Sequence, residues 1–217
     1  MKEVKKMRIR NFSGSKELLD SSDIVVKEPE QYKGKWQSLF DNNNKVHLEI
    51  GMGKGNFLLG MAKENPDINF IGVEQYDTIV ARAVQKFEEA ELSNLKVVKV
   101  DAKELANIFE KEIDVIYLNF SDPWPKARHE KRRLTSVNFL KIYDELFKND
   151  NVIIQKTDNY PLYTYSLESL IEYGYDVVEK NEDLASSGMQ NVPTEYEEKF
   201  MKQGIKINYL KAIKNRV

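Results

Sequence analysis

The sequence predicts an α/β fold: a mostly parallel sheet with helices on both faces and an antiparallel edge built by its C-terminal strands. Short apolar runs of strand length alternate with segments of helical period through most of the chain, which is the pattern of repeated βα units. The first of these runs passes directly into a glycine-rich turn, Gly51-Met52-Gly53-Lys54-Gly55. Near the end, two strand-like segments lie close together and one of them alternates apolar with polar residues, as a half-buried antiparallel strand does.

The elements follow in order. Residues 46–50 read as a first buried strand, and residues 56–63 after the glycine turn as a helix with Phe57, Leu58 and Met61 on one face. Residues 69–74 are a second strand, and the spacing of Ile79, Ala83 and Phe87 predicts the next helix. Third and fourth strands are expected over 95–100 and 115–120, and Val152-Ile153-Ile154 forms the core of a fifth. Phe139, Leu140, Tyr143, Leu146 and Phe147 mark a helix between the last two; residues 162–173 give another. A sixth strand is expected near 176–178, and residues 205–210 alternate as a seventh. No repeat, low-complexity tract or Pro/Gly/Ser-rich linker interrupts this order. The expected organisation is an N-terminal basic arm, 1–40, packed on or extending a single domain, 41–217.

The chain has 217 residues, 41% hydrophobic and 31% charged, enough for one substantial core and short for two. No uninterrupted apolar stretch approaches the roughly 20 residues that cross a bilayer. The basic start lacks the apolar segment of a secretory signal, so a cytoplasmic location is expected. With no cysteine and only His47 and His129, disulfides are excluded and no metal site is expected. A formal charge of −2 argues against a nonspecific nucleic-acid coat protein, yet basic residues cluster in two runs, at 1–10 and 126–133. Basic segments on an acidic body form a shaped footprint for a polyanion. No segment calls for an obligatory protein partner.

Open α/β sheets bind ligands at the carboxyl ends of their strands. The first such end carries Glu49 and the glycine turn, where Gly51 and Gly53 let the backbone approach a ligand closely. Glu74 ends the second strand, placed to accept hydrogen bonds from two ribose hydroxyls; Asp101, after the third, could receive an adenine amino group. A phosphate-binding P-loop does not fit, because no Ser or Thr follows the lysine. A dinucleotide site is compatible with Glu74, but the third glycine of that fingerprint would fall on Asn56. An acid two residues before GxGxG matches the S-adenosylmethionine pocket of class I methyltransferases, and acids at three successive strand ends favour it.

After the fourth strand comes Asn119-Phe120-Ser121-Asp122-Pro123-Trp124-Pro125-Lys126, then Arg128-His129-Glu130-Lys131-Arg132-Arg133. A carboxylate, a Pro-stiffened turn, an indole and a cationic cluster at one strand end suit a site that grips a polyanion and acts on a base beside it. Trp124 reads either as a stacking platform or as a large side chain closing the loop over the sheet. His47 belongs to strand packing.

These motifs resemble the bacterial tRNA (guanine-N7)-methyltransferase family. NFSDPWPKxRHxKRRL spans 119–134, KTDN spans 156–159, TEYE spans 194–197, and Met7-Arg8-Ile9-Arg10 resembles the family's usual start. The likeness implies a Rossmann-like class I methyltransferase fold with S-adenosylmethionine held by Glu49, Gly51, Gly53, Glu74, Asp101 and Asp122. It implies Asp122 as the catalytic acid between cofactor and target, and Lys126, Asp158, Thr194, Glu195, Tyr196 and Glu197 as substrate-binding. Arg128, His129, Glu130, Lys131, Arg132 and Arg133 match its RNA-contacting stretch. The implied partner is tRNA and the implied target N7 of guanine 46, in the variable loop. The chain departs from the family at Tyr160, where an arginine is frequent, at Leu210, where some members carry arginine, and at Met52, where many have a small residue. Methylation of another RNA base, or an RNA-binding module with a vestigial pocket, are the alternatives; acids retained at 49, 74, 101 and 122 speak against the second.

Overall fold

The computed structural model describes residues 14–215. The basic run at 1–10, with its Met7–Arg10 motif, lies outside them. The described residues open with α1 (Ser15–Ser21) and then alternate: β1 (Lys45–Ile50), α2 (Asn56–Glu64), β2 (Ile68–Glu74), α3 (Asp77–Ala90), β3 (Leu95–Lys99), α4 (Leu105–Ile108) and β4 (Val115–Asn119). It continues with α5 (Val137–Leu146), β5 (Asn151–Thr157), α6 (Tyr160–Glu172), β6 (Asp176–Asn181), α7 (Glu195–Met201) and β7 (Asn208–Lys214).

The strands form one sheet in the order β3-β2-β1-β4-β5-β7-β6. β1 to β5 are mutually parallel, and β7 runs antiparallel between β5 and β6. Order reverses between β1 and β4, so the crevice beyond their carboxyl ends is the topological switch point.

Strand pleating sends alternate residues to opposite faces. Val46, Leu48 and Ile50 of β1 face a core shared with Leu118, Ile153 and side chains of α4, α5 and α6. On the other face Phe70, Val97 and Tyr117 pack against α1, α2 and α3 through residues such as Leu19, Phe57 and Phe87. Both faces are therefore apolar, which is why β1 to β4 read as continuous apolar runs rather than alternating ones. His47 is buried on this second side, its Nδ1 3.1 Å from the Tyr117 hydroxyl, and burial lowers its pKa to about 4. It is a neutral packing residue.

The described part of the N-terminal segment adheres closely to this body. Trp36 is fully buried and its indole N–H donates to the Ile108 carbonyl at 2.6 Å. The Glu112 carboxylate accepts from the backbone N–H groups of Gly34 and Trp36 at 3.0 and 2.7 Å. Val25 bridges to Val97 alongside β3.

The last strand differs from expectation. Its alternation places a strand over 205–210, whereas β7 spans Asn208–Lys214, pairing residue by residue from Asn208↔Thr157 to Lys214↔Asn151. The length of β5 decides where β7 starts and stops. Ile205 is left 38% exposed, while Ile207 packs instead against Leu184 and Tyr209. Among the described residues no helix is long and apolar enough to cross a membrane.

Candidate active site

A cavity of about 490 Å³ opens at the switch point, walled by Glu49, the 51–57 turn and helix start, Thr78, Ile79, Arg82, Asn119, Phe120 and the N-terminal turn of α7. Neighbouring strands bring its two polar centrepieces together. Asn119, the last residue of β4, donates from Nδ2 to Glu49 of β1 at 2.8 Å. Glu49 is 2% exposed. Its second carboxylate oxygen and the side-chain amide oxygen (Oδ1) of Asn119 have no protein partner. Burial pushes the Glu49 carboxyl up to about 8, against the pull of the Asn119 amide and the Lys156 ammonium. Two buried, unsatisfied acceptors side by side suit a cationic donor such as a primary ammonium.

The glycine turn is shaped by packing as well as by access. Gly51 and Met52 donate their N–H groups to the Val73 carbonyl at 2.8 and 3.0 Å, locking the turn to β2. Gly55 has φ 76° and precedes α2; a Cβ there would overlap the Phe87 ring of α3. At Gly51 and Gly53, by contrast, a Cβ would meet nothing within 4 Å, so the chain is open towards the cavity there.

Glu74 is buried at the end of β2, and its carboxylate accepts from the backbone N–H of Gln75 at 2.8 Å and of Tyr76 at 3.3 Å. Burial raises its pKa, the N–H groups of Gln75, Tyr76 and Gly53 oppose the shift, and the charge of Asp122 adds to it. Asp101 follows β3 and accepts from the Lys103 N–H at 3.0 Å. Glu74, Asp101 and Asp122 are not among the residues that wall this cavity.

The loop after β4 is held in an unusual backbone. Phe120 (φ 50°) and Trp124 (φ 42°) both adopt left-handed conformations, which bulky residues rarely take. They flank Asp122, whose side chain is exposed. Phe120 is pinned by its N–H to the Lys156 carbonyl at 2.8 Å, and its ring stacks on Tyr196 at 6.1 Å between centroids. Trp124 is half-buried, with the Arg132 guanidinium 4.8 Å over its ring and His129 edge-on at 5.7 Å. Its ring thus closes the loop against the basic turn.

Residues of the TEYE stretch divide by role. Thr194 caps α7: its hydroxyl accepts from the Glu197 N–H at 3.0 Å while Glu197 accepts from the Thr194 N–H at 3.3 Å, a capping box. Glu197 is 1% exposed and pairs with buried Lys156 at 3.0 Å. Lys156 also donates to Asn191 Oδ1 (2.6 Å) and the Val192 carbonyl (2.8 Å), fastening the 191–197 segment to β5. Burial lowers the Lys156 pKa, and Glu197 resists that shift. Glu195 and Tyr196 line the cavity together with Thr194, whereas Glu197 does not. Glu195 accepts from Lys54 of the glycine turn at 2.7 Å and from Lys86 of α3 at 3.1 Å, which lowers its pKa against the effect of burial. Tyr196 is 51% exposed.

Of the remaining expected residues, Lys126, Arg128, Lys131 and Arg132 are exposed on the turn beyond Asp122. Glu130 accepts from the Tyr165 hydroxyl at 3.3 Å. Arg133 is half-buried and turned back on the loop. Asp158 is exposed at the end of β5, its pKa raised by partial burial. Sequence reasoning missed the Asn119–Glu49 contact and the Lys156–Glu197 pair. A signal for the second was present: a lysine inside a buried strand needs an anionic partner, and Thr194-x-x-Glu197 has the spacing of a capping box.

A family model described as "Putative methyltransferase" matches residues 43–210. The tRNA (guanine-N(7)-)-methyltransferase of Lachnoclostridium phytofermentans is 47% identical over 213 residues, covering 97% of this chain and 100% of that protein. The proteins of the same name from Bacillus subtilis and Streptococcus suis are 47% and 49% identical over 91% of this chain, and 94% and 95% of theirs. Among solved structures, an antibiotic-related methyltransferase superposes with a TM-score of 0.62 at 15% identity, over 88% of this chain and 96% of its own. A SAM-dependent methyltransferase from Aquifex aeolicus gives 0.55 at 16%, over 94% and 99%. These two share the fold.

Proposed function

The chain belongs to the tRNA (guanine-N(7)-)-methyltransferase family, and from that premise we propose that it methylates N7 of guanine 46 in the variable loop of tRNA, using S-adenosylmethionine. The observation that carries this reading is the pair of buried, partnerless acceptors on Glu49 and Asn119, set at the switch point beneath the Asp122 loop and its cationic turn.

The residues fit the cofactor. Glu49 and Asn119 would hold its ammonium, the open backbone at Gly51 and Gly53 would line its path, Glu74 would take the ribose hydroxyls and Asp101 the adenine amino group. S-adenosylmethionine supplies an electrophilic methyl group on a sulfonium. Guanine N7 carries a free lone pair, so no residue has to remove a proton, and the protein's work is alignment. Asp122 offsets the positive charge that develops on the base. Asp158 can accept from guanine N1 and N2 donors, which adenine lacks in that arrangement, and Tyr196 and Glu195 border the same space. Lys126, Arg128, Lys131 and Arg132 meet the phosphate backbone, positioning the RNA without reading its sequence.

Incubation with methyl-labelled S-adenosylmethionine and unmodified tRNA, followed by digestion, is expected to give label in 7-methylguanosine, lost when the variable-loop guanine is replaced. Label in a different nucleoside would refute the proposed target; no label in any nucleoside would refute the activity.

The ammonium assignment has a pH consequence. With its carboxyl raised to about 8, Glu49 carries a proton below that pH, and an ammonium must displace it. Cofactor affinity measured by titration calorimetry is therefore expected to climb as pH rises towards that value, by up to about tenfold per pH unit. Proton release should accompany binding, and Glu49→Gln should abolish both effects. A flat profile in the unmodified protein would remove Glu49 from the ammonium site.

A further inference from the structure

Five cations lie between residues 126 and 133, and one of them does not behave like the others. Arg133 donates from Nε to the Pro123 carbonyl and from a terminal nitrogen to the Trp124 carbonyl, both at 3.2 Å. Its guanidinium carbon lies 4.2 Å over the ring of Tyr165 on α6. Tyr165 in turn donates to Glu130 at 3.3 Å, and the Arg133 N–H closes the turn onto the Glu130 carbonyl at 2.9 Å. The donor fork is thus directed into the protein, with the cation seated over an aromatic ring.

What the fork holds is the backbone immediately after Asp122. Trp124 keeps its left-handed conformation (φ 42°), which persists in a bulky residue only where surrounding contacts impose it. On the strand side the loop is fixed by the Phe120 N–H to Lys156 bond. On the far side the side chain bound to its carbonyls is Arg133. Asp122 sits between these two fixings.

Resting on the methyltransferase reading above, we propose that Arg133 is a positioning residue for the methyl-transfer step, bracing the Pro123–Trp124 turn against α6 so that Asp122 faces the cleft, and that it does not contact tRNA phosphates. A lysine cannot reproduce this: it has neither the planar fork that spans two carbonyls nor a face to stack on Tyr165.

The chain supplies its own reporter. It has two tryptophans, and Trp36 is fully buried, so acrylamide quenching reads Trp124. Arg133→Ala and Arg133→Lys are both expected to increase quenching in the protein without cofactor or RNA. Both should lower kcat at saturating tRNA by roughly 100-fold, the scale of a small misplacement of reacting groups. tRNA affinity and its salt slope should stay as in the unmodified protein, whereas Arg128→Ala with Lys131→Ala flattens the slope by about one unit per lost phosphate contact. Thermal melts identify a variant that has failed to fold, and the lysine variant is the milder of the two. Unchanged quenching in folded variants overturns the proposal. So does full activity in Arg133→Lys, or a salt slope reduced by Arg133→Ala. Were the unmodified protein to transfer no methyl to tRNA, the functional reading would fall, while the quenching comparison would still decide whether Arg133 braces the loop.

Discussion

Asp122→Ala is expected to lose methyl transfer by roughly 100- to 1,000-fold while binding tRNA nearly as well as the unmodified protein. The side chain is exposed in a loop whose shape is imposed from both ends, so its removal leaves no cavity and no buried partner unsatisfied. Its charge acts on Glu74 at the end of β2, and in the reading proposed above it lies between cofactor and base. A carboxylate there acts most strongly once the base has become cationic, so its loss falls on the transition state more than on either ground state. Single-turnover methyl transfer alongside filter binding of tRNA separates the two effects. Turnover at the normal rate would dismiss Asp122 from the chemistry, and loss confined to binding would make it a docking residue.

The second large effect is on stability. Glu197→Ala leaves the Lys156 ammonium buried without its ion-pair partner, still bonded to Asn191 and the Val192 carbonyl, and removes half of the capping box. Breaking one side of a buried ion pair costs about 3–5 kcal/mol, while the Thr194 hydroxyl continues to cap α7 through the residue-197 backbone N–H. A fall of that size in urea-unfolding free energy is expected, together with weaker cofactor binding, because the 191–197 segment forms one wall of the cavity. Replacing both residues, Lys156→Met with Glu197→Met, should recover much of the lost stability, since the uncompensated charge is then gone. A loss under about 1 kcal/mol in the single variant would show that water reaches the pair.

These variants mark the boundary between what local sequence encodes and what folding adds. The alternation of β and α elements, the buried character of β1 to β4 and the acids at their carboxyl ends are written in short stretches of residues. Periodicity and strand-end position are local properties, and the tertiary structure had only to assemble them. The glycine turn was likewise legible as a backbone feature, though Gly55 is there for its packing on Phe87. The register of β7 was not legible, because its ends answer to β5 rather than to its own alternation.

The division of labour inside the motifs also came from tertiary structure. In sequence Thr194, Glu195, Tyr196 and Glu197 are four adjacent polar or aromatic candidates; in the fold Glu197 is committed to a lysine 41 positions away while Tyr196 faces the cavity. Arg132 and Arg133 are consecutive and chemically identical, yet one lies over the Trp124 ring from the exposed side and the other grips the loop from behind. Residue type and order determined that a sulfonium-dependent methyltransferase fold with a cationic margin would form. Which charges remain free to meet a substrate was decided by burial, since a charge taken out of water must find a partner and the partner lies elsewhere in the chain.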